Sequence, residues 1–197
     1  MTKIKFCGLR TLDDVYFANE IFPEYVGFVF APESKRYVTP AQAEKLRGAL
    51  SKKILAVGVF VNEKISVVSE LLDVGIIDVA QIHGNENDEY IKSLHSVTKK
   101  AIIRAFQIHT ADDMATAEKS SADFVLLDAG TGCGKVFNWK LINLSREYFL
   151  AGGLTTENVD EAIKLLKPYA VDVSSGIETS GRKDFAKMKA FASIVRN

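Results

Sequence analysis

Leu150-Ala151-Gly152-Gly153-Leu154 and Val171-Asp172-Val173-Ser174-Ser175-Gly176-Ile177 separate the possible architectures of this chain. Each is a short apolar run that breaks into glycine, or into serine and glycine. They read as the loops after the last two strands of a barrel, where backbone N–H groups and a short helix start commonly hold phosphate. Glycine lets an anion approach the backbone, and serine adds a hydroxyl donor. Gly152, Gly153, Ser174, Ser175 and Gly176 are therefore candidate phosphate residues; for each glycine the alternative is service in a tight turn.

Six similar runs precede these two. Ile4–Cys7, Tyr25–Phe30, Ile54–Phe60, Val79–Ile82, Ala101–Ala105 and Phe124–Leu127 lead to Tyr148–Ala151 and Ala170–Val173. Their starts are spaced by roughly 21 to 29 residues, which suits a strand, a helix and two short loops. Several runs are apolar on both faces, as parallel strands covered by helices must be. Between them lie helical stripes: Leu12, Val15 and Tyr16; Ile65, Val68 and Leu72; Val159, Ala162, Ile163 and Leu166. Thr39-Pro40-Ala41-Gln42 predicts a helix start, with Thr39 as cap, Pro40 in the first turn and Gln42 closing a capping box. Thr155 is expected to cap the helix that runs to Leu166, with Pro168 just beyond its end, and Gly75 to stop the helix from Lys64.

Strands alternating with helices and no linker leave two architectures, an open doubly wound sheet or a closed barrel. The first strand-to-helix turn, Phe6-Cys7-Gly8-Leu9-Arg10, lacks the G-x-G-x-x-G of a dinucleotide fold. With the two late loops, this favours a single (β/α)8 TIM barrel domain over residues 1–197. A chain of 197 residues is short for such a barrel, typically about 250, so little decoration is expected.

Lys+Arg and Asp+Glu are both 25, so formal net charge is zero, and 47% of residues are hydrophobic. This balance points away from a nucleic-acid binder or a membrane-surface protein. No apolar run approaches the length of a membrane helix, and Met1–Phe6 has no signal-peptide h-region. Cys7 and Cys133 have no metal-ligand spacing, so a cytoplasmic protein with reduced thiols and no metal is expected. A monomer is favoured, with a homodimer as the alternative.

Barrel enzymes carry their chemistry at the C-terminal ends of strands. Cys7 ends the first strand ahead of Gly8, and Lys5 shares its face by the period of two. A nearby cation would favour the thiolate, the useful base or nucleophile; a buried thiol acting as a small hydrophobe is the alternative. Asp128 directly follows Val125-Leu126-Leu127, where a carboxyl can have a raised pKa and act as a general acid, or can simply turn the next loop. Arg36 can clamp a carboxylate with its planar fork or stand solvated at the surface. His83 either lines the pocket or is a hydrogen-bonded structural histidine. Cys133, in Gly130-Thr131-Gly132-Cys133-Gly134, reads as an incidental loop thiol, and no Gly-Lys-Ser/Thr makes that stretch a P-loop. From the residues alone, the expectation is a phosphorylated small-molecule substrate that can carry a second anionic group, one acid, one base, and no metal or dinucleotide cofactor.

At these residues the chain resembles the phosphoribosylanthranilate isomerase family of tryptophan biosynthesis. The resemblance runs in order through Lys5-Phe6-Cys7-Gly8-Leu9, Gly27–Phe30, Ser34–Val38, Val57–Asn62, Gln81-Ile82-His83-Gly84, Leu127-Asp128, Phe137-Asn138-Trp139, Leu150–Leu154, Val171–Glu178 and Gly181–Asp184. It implies an Amadori rearrangement of N-(5'-phosphoribosyl)anthranilate to 1-(2-carboxyphenylamino)-1-deoxyribulose 5-phosphate. It further implies Asp128 as general acid, Cys7 as general base and Arg36 on the anthranilate carboxylate. Gly152, Gly153, Ser174, Ser175 and Gly176 would hold the phosphate, and Asp172 would lie near the substrate hydroxyls. The chain departs from the family in a short loop after Asp128, in Cys133 within its glycine run, and in Asn138 where Asp commonly precedes Trp139. A ribulose-phosphate epimerase would want metal-binding His and Asp at several strand ends, and only His83 of the three histidines ends a strand. A histidine-pathway isomerase resembles a barrel with Asp where this chain has Cys7. A non-catalytic phosphate-binding barrel would be expected to lose the acid or the base.

Overall fold

The computed structural model describes residues 1–128, 139 and 142–197. Residues 129–138, with Cys133 and Asn138, lie outside the described residues. Eight strands follow one another in chain order: β1 (Lys3–Cys7), β2 (Tyr25–Val29), β3 (Leu55–Phe60), β4 (Val79–Ile82), β5 (Ile102–Gln107), β6 (Phe124–Asp128), β7 (Tyr148–Ala151) and β8 (Ala170–Val173). Each pairs in parallel with the next, and β8 pairs with β1, so the sheet closes into the expected barrel. The helices are α1 (Leu12–Ile21), α2 (Pro40–Ala49), α3 (Ile65–Asp73), α4 (Asp88–Val97), α5 (Ala111–Glu118), α6 (Val159–Leu166) and α7 (Phe185–Arg196). None of the described helices is long and apolar enough to cross a membrane. A short ribbon of β9 (Glu178–Thr179) and β10 (Arg182–Lys183) follows β8 on the mouth side.

Alternation along the strands sorts side chains into two cores. Outward residues such as Ile4, Phe6, Val125 and Leu127 pack under the helices. Inward residues Tyr25, Val57, Val79, Ile103, Leu126, Phe149 and Ala170 fill the barrel interior. Val29, Ala31 and Val59 form a small apolar patch against Cys7 nearer the mouth. The inward positions thus run from large apolar groups at the bottom to polar groups at the top. Lys5 leads to Cys7, Gln81 to His83, Leu126 to Asp128 and Asp172 to Ser174, each two residues on.

Local sequence signals explain most boundaries. Thr39 accepts from the Gln42 amide, and Gln42 Oε1 accepts from the Thr39 amide at 2.8 Å, the expected capping box. Gly75 takes φ +75° just past α3, a left-handed stop that glycine adopts without strain. Thr155 departs from expectation, because α6 begins at Val159 with Asn158 as its cap residue. Thr155 Oγ1 instead accepts from the Glu157 amide, and the Thr155 amide donates to Asn158 Oδ1. A threonine that satisfies the amide two residues on makes its own turn and delays the helix.

The two late loops touch closely. A Cβ on Gly176 would stand 2.0 Å from the Leu154 carbonyl oxygen, so the loop after β8 rests on the loop after β7. Gly176→Ala must push these loops apart and is expected to lower stability by about 2 kcal/mol. A denaturant midpoint equal to wild type would contradict that packing.

Candidate active site

A cavity of about 380 Å³ opens at the C-terminal mouth. Cys7, Arg36, Asp128, Gly152, Gly153, Asp172, Ser174 and Ser175 all line it, with Gln81 and His83. Sequence positions far apart therefore converge where the barrel rule placed them. Gly176 is not among the lining residues; its close approach to Leu154 gives it a packing role beneath the loops. Gly152 and Gly153 both take positive φ, +93° and +65°, so the loop after β7 needs glycine for its path.

Cys7 sits above a buried ion pair. Lys5 is fully buried, and its Nζ donates to Asp172 Oδ2 at 2.9 Å. Burial alone would lower the Lys5 pKa. The Asp172 carboxylate, with a lesser contribution from Cys7, outweighs burial and leaves Lys5 above its ordinary value. Asp172 Oδ1 is buried with no hydrogen-bond partner among the described residues. Burial is the largest influence on the Cys7 thiol and pushes its pKa up; Lys5 and Lys183 pull it down, while Asp172 pushes it up further, leaving a net rise. The cation beside Cys7 is thus present, as its strand face predicts, but burial outweighs its pull toward thiolate. Space for the thiol comes from Gly27 on β2, where a Cβ would stand 2.7 Å from Cys7 Sγ.

Arg36 is locked in place. Its Nε and Nη2 each donate to a Glu178 carboxylate oxygen at 2.7 Å. Glu178 Oε1 also accepts from Lys183 Nζ at 2.8 Å, and Lys183 donates to the Ser174 carbonyl at 2.9 Å. Burial would raise the Glu178 pKa, but the bonds from Arg36 and Lys183 dominate together and hold it at about 2. A Cβ on Gly8 would lie 2.3 Å from Arg36 Cδ, so Gly8, at φ +80°, leaves the path for this side chain. Ser174 Oγ donates to the Cys7 carbonyl at 3.1 Å and ties the β8 loop to β1. Ser174 also lines the cavity beside Ser175.

On the far side, His83 Nε2 stands 3.4 Å from Asp128 Oδ2, and His83 Nδ1 lies 3.0 Å from Gln81 Nε2. His83 lines the cavity and is also held by a hydrogen bond, so both of its expected readings apply.

Glu178, Lys183 and Gln81 were not singled out from the sequence. Gln81 had a signal: it is polar inside an apolar strand, two residues before His83 and so on its face. Glu178 had none, because it reaches Arg36 across 142 residues of chain.

Two outcomes follow from these pairs. A carboxylate held at about 2 stabilises the fold above its unfolded value near 4.5, and that stabilisation fades as pH falls through 2. Glu178→Gln should therefore cost roughly 3 kcal/mol at pH 7, and the gap to wild type should close as pH falls through the acid range; a gap independent of pH would contradict the pairing. Lys5→Met should raise the pH midpoint of Cys7 alkylation, since Lys5 pulls that thiol down. An unchanged midpoint would show that Asp172 absorbs the whole of the Lys5 charge.

Residues 4–193 match the family model described as N-(5'phosphoribosyl)anthranilate (PRA) isomerase. The N-(5'-phosphoribosyl)anthranilate isomerase of Thermoanaerobacter pseudethanolicus is 43% identical over 204 residues, covering 100% of this chain and 98% of the relative. The crystal structure of phosphoribosyl anthranilate isomerase from Thermotoga maritima superposes with a TM-score of 0.90 at 35% identity, covering 100% of this chain and 99% of that one. A further solved phosphoribosyl anthranilate isomerase, in complex with reduced 1-(o-carboxyphenylamino)-1-deoxyribulose 5-phosphate, gives a TM-score of 0.87 at 34% identity, covering 100% of this chain and 99% of that one. With a full-length match in sequence and in barrel architecture, this chain belongs to the N-(5'-phosphoribosyl)anthranilate isomerase family.

Proposed function

We infer that this chain isomerises N-(5'-phosphoribosyl)anthranilate to 1-(2-carboxyphenylamino)-1-deoxyribulose 5-phosphate in tryptophan biosynthesis, as a cytoplasmic enzyme that uses no cofactor. The observation that carries the reading is one cavity, in a chain of this family, that gathers Cys7, Asp128 and both late glycine and serine loops.

Asp128, as the carboxylic acid, gives its proton to the furanose ring oxygen. The bond from that oxygen to C1' breaks while the anilino nitrogen lone pair forms a C1'=N iminium. Cys7, as thiolate, removes the proton from C2'. The C–H electrons form a C1'=C2' double bond and neutralise the nitrogen, giving an enolamine. Loss of the C2' hydroxyl proton and gain of a proton at C1' yield the ketone, so the sum is an isomerisation.

The positions suit these roles. The proposed acid ends β6 and the proposed base ends β1, strands that are not neighbours in the barrel, so the sugar can lie between them. Lys5 and Lys183 are the two cations that favour the thiolate against burial. Two of the five N–H donors of Arg36 go to Glu178; the reading assigns the others to the anthranilate carboxylate. Asp172 lines the cavity, and its Oδ1 has no hydrogen-bond partner among the described residues, so the reading assigns it to a sugar hydroxyl. Backbone amides at Gly152 and Gly153, with Ser175, would take the phosphate, and binding there would position a sugar whose reacting bond lies elsewhere. The reading takes a complete set of groups from one chain, which a monomer or a homodimer with separate sites would each provide.

Loss of the substrate's anthranilate fluorescence follows turnover. Purified protein should consume the substrate, and Cys7→Ala and Asp128→Ala should each lower kcat at least about 100-fold. Arg36→Met should act mainly on KM, raising it about tenfold. No turnover by wild type rejects the reaction, and normal turnover by either alanine variant rejects the assigned roles.

A further inference from the structure

We propose that Gln81 and His83 are positioning residues for the acid step: Gln81 fixes His83 as the neutral Nε2–H tautomer, and that N–H orients the Asp128 carboxyl toward the substrate. The proposal rests on Asp128 being the acid.

The evidence is a chain of three side chains across the mouth. Gln81 and His83 occupy successive inward positions at the end of β4, and Asp128 ends β6, with β5 between them. Gln81 is only 1% exposed, so water does not compete for its amide. Its Nε2 lies 3.0 Å from His83 Nδ1. An amide nitrogen only donates, so with this face of the amide toward the ring Nδ1 offers a lone pair, and the single ring proton of neutral imidazole sits on Nε2. That nitrogen faces Asp128 Oδ2 at 3.4 Å, a separation that substrate closure can shorten into a hydrogen bond.

The tautomer matters because the alternatives oppose an acid. An imidazolium beside Asp128 would favour the carboxylate, which has no proton to give. The Nδ1–H tautomer would turn a bare lone pair toward Asp128. A neutral Nε2–H instead restrains rotation of the carboxyl without adding charge. Turning the amide over would bring Oε1 onto Nδ1. That oxygen is buried and has no hydrogen-bond partner among the described residues, so it is the group an imidazolium would recruit. The other charged groups around this ring are Arg104 from β5 and Glu86 from the loop after β4, with Cys7, Arg36 and Asp172 around the shared cavity.

Long-range ¹⁵N–¹H correlation spectra of the ¹⁵N-labelled wild-type protein at pH 7.5 read the ring directly. The Nε2–H pattern for His83 is the expected result; an Nδ1–H tautomer or an imidazolium overturns the proposal. Gln81→Met should mix the tautomers and lower kcat about tenfold with KM within about twofold. Gln81→Glu, which supplies an acceptor to Nδ1, should drive the ring to imidazolium and lower kcat further. Wild-type kcat in Gln81→Met, or a lower kcat with the ring tautomer unchanged, overturns the positioning role. The wild-type spectrum decides even if a variant fails to fold. Absence of turnover by wild type would reject the reaction while the spectrum still reads the Gln81–His83 contact.

Discussion

A lysine ammonium shut away from water stands inside this barrel, and the mouth is built on it. Lys5 on β1 donates to Asp172 on β8, across the seam where the last strand pairs with the first. Two charges taken from water are stable together only with close geometry, and removing one partner typically costs about 3–5 kcal/mol. The pair therefore constrains the register of the closing seam. It also sets the electrostatics one layer higher, since Cys7 is the next inward residue after Lys5. The thiol faces a cation that draws it toward thiolate and a carboxylate that opposes this, while burial holds the balance toward the thiol.

A second charged cluster frames the other wall. Arg36, Glu178 and Lys183 join the loop after β2 to the ribbon after β8. Glu178 meets two cations, so the cluster keeps a surplus of positive charge beside a cavity proposed to hold a substrate with two anionic groups, a phosphate and a carboxylate. Bidentate geometry fixes the guanidinium plane, which a flexible lysine at the same position could not match. Arg36, which the proposed reading assigns to the substrate carboxylate, is thus ordered before any ligand arrives.

The barrel was legible because its signals are local. Val79–Ile82, Tyr148–Ala151 and Ala170–Val173 are strands at the boundaries their apolar runs predict, and the Thr39–Gln42 capping box forms as written. Cys7, Asp128, Arg36 and the late loops were legible as candidates because a barrel sends its strand ends to one mouth. Their separate chemical roles came from family resemblance, since a thiol and a carboxyl at strand ends do not declare which gives the proton. The supporting residues were hidden for a different reason. Glu178 meets Arg36 only once the barrel has closed, and no pattern along the chain encodes a contact of that span. Thr155 failed in the opposite sense: its local turn chemistry competed with the cap it resembled, and the turn won.

The central claim is that one sugar lies between Cys7 and Asp128 with its phosphate in the two late loops. A crystal structure of this chain with the reduced product analogue would test it most directly. The predicted result places the phosphate against Gly152, Gly153 and Ser175, the carboxylate on Arg36, and Cys7 Sγ and the Asp128 carboxyl within about 4 Å of the sugar from opposite sides. A phosphate bound elsewhere at the mouth, or a sugar out of reach of either group, would contradict it.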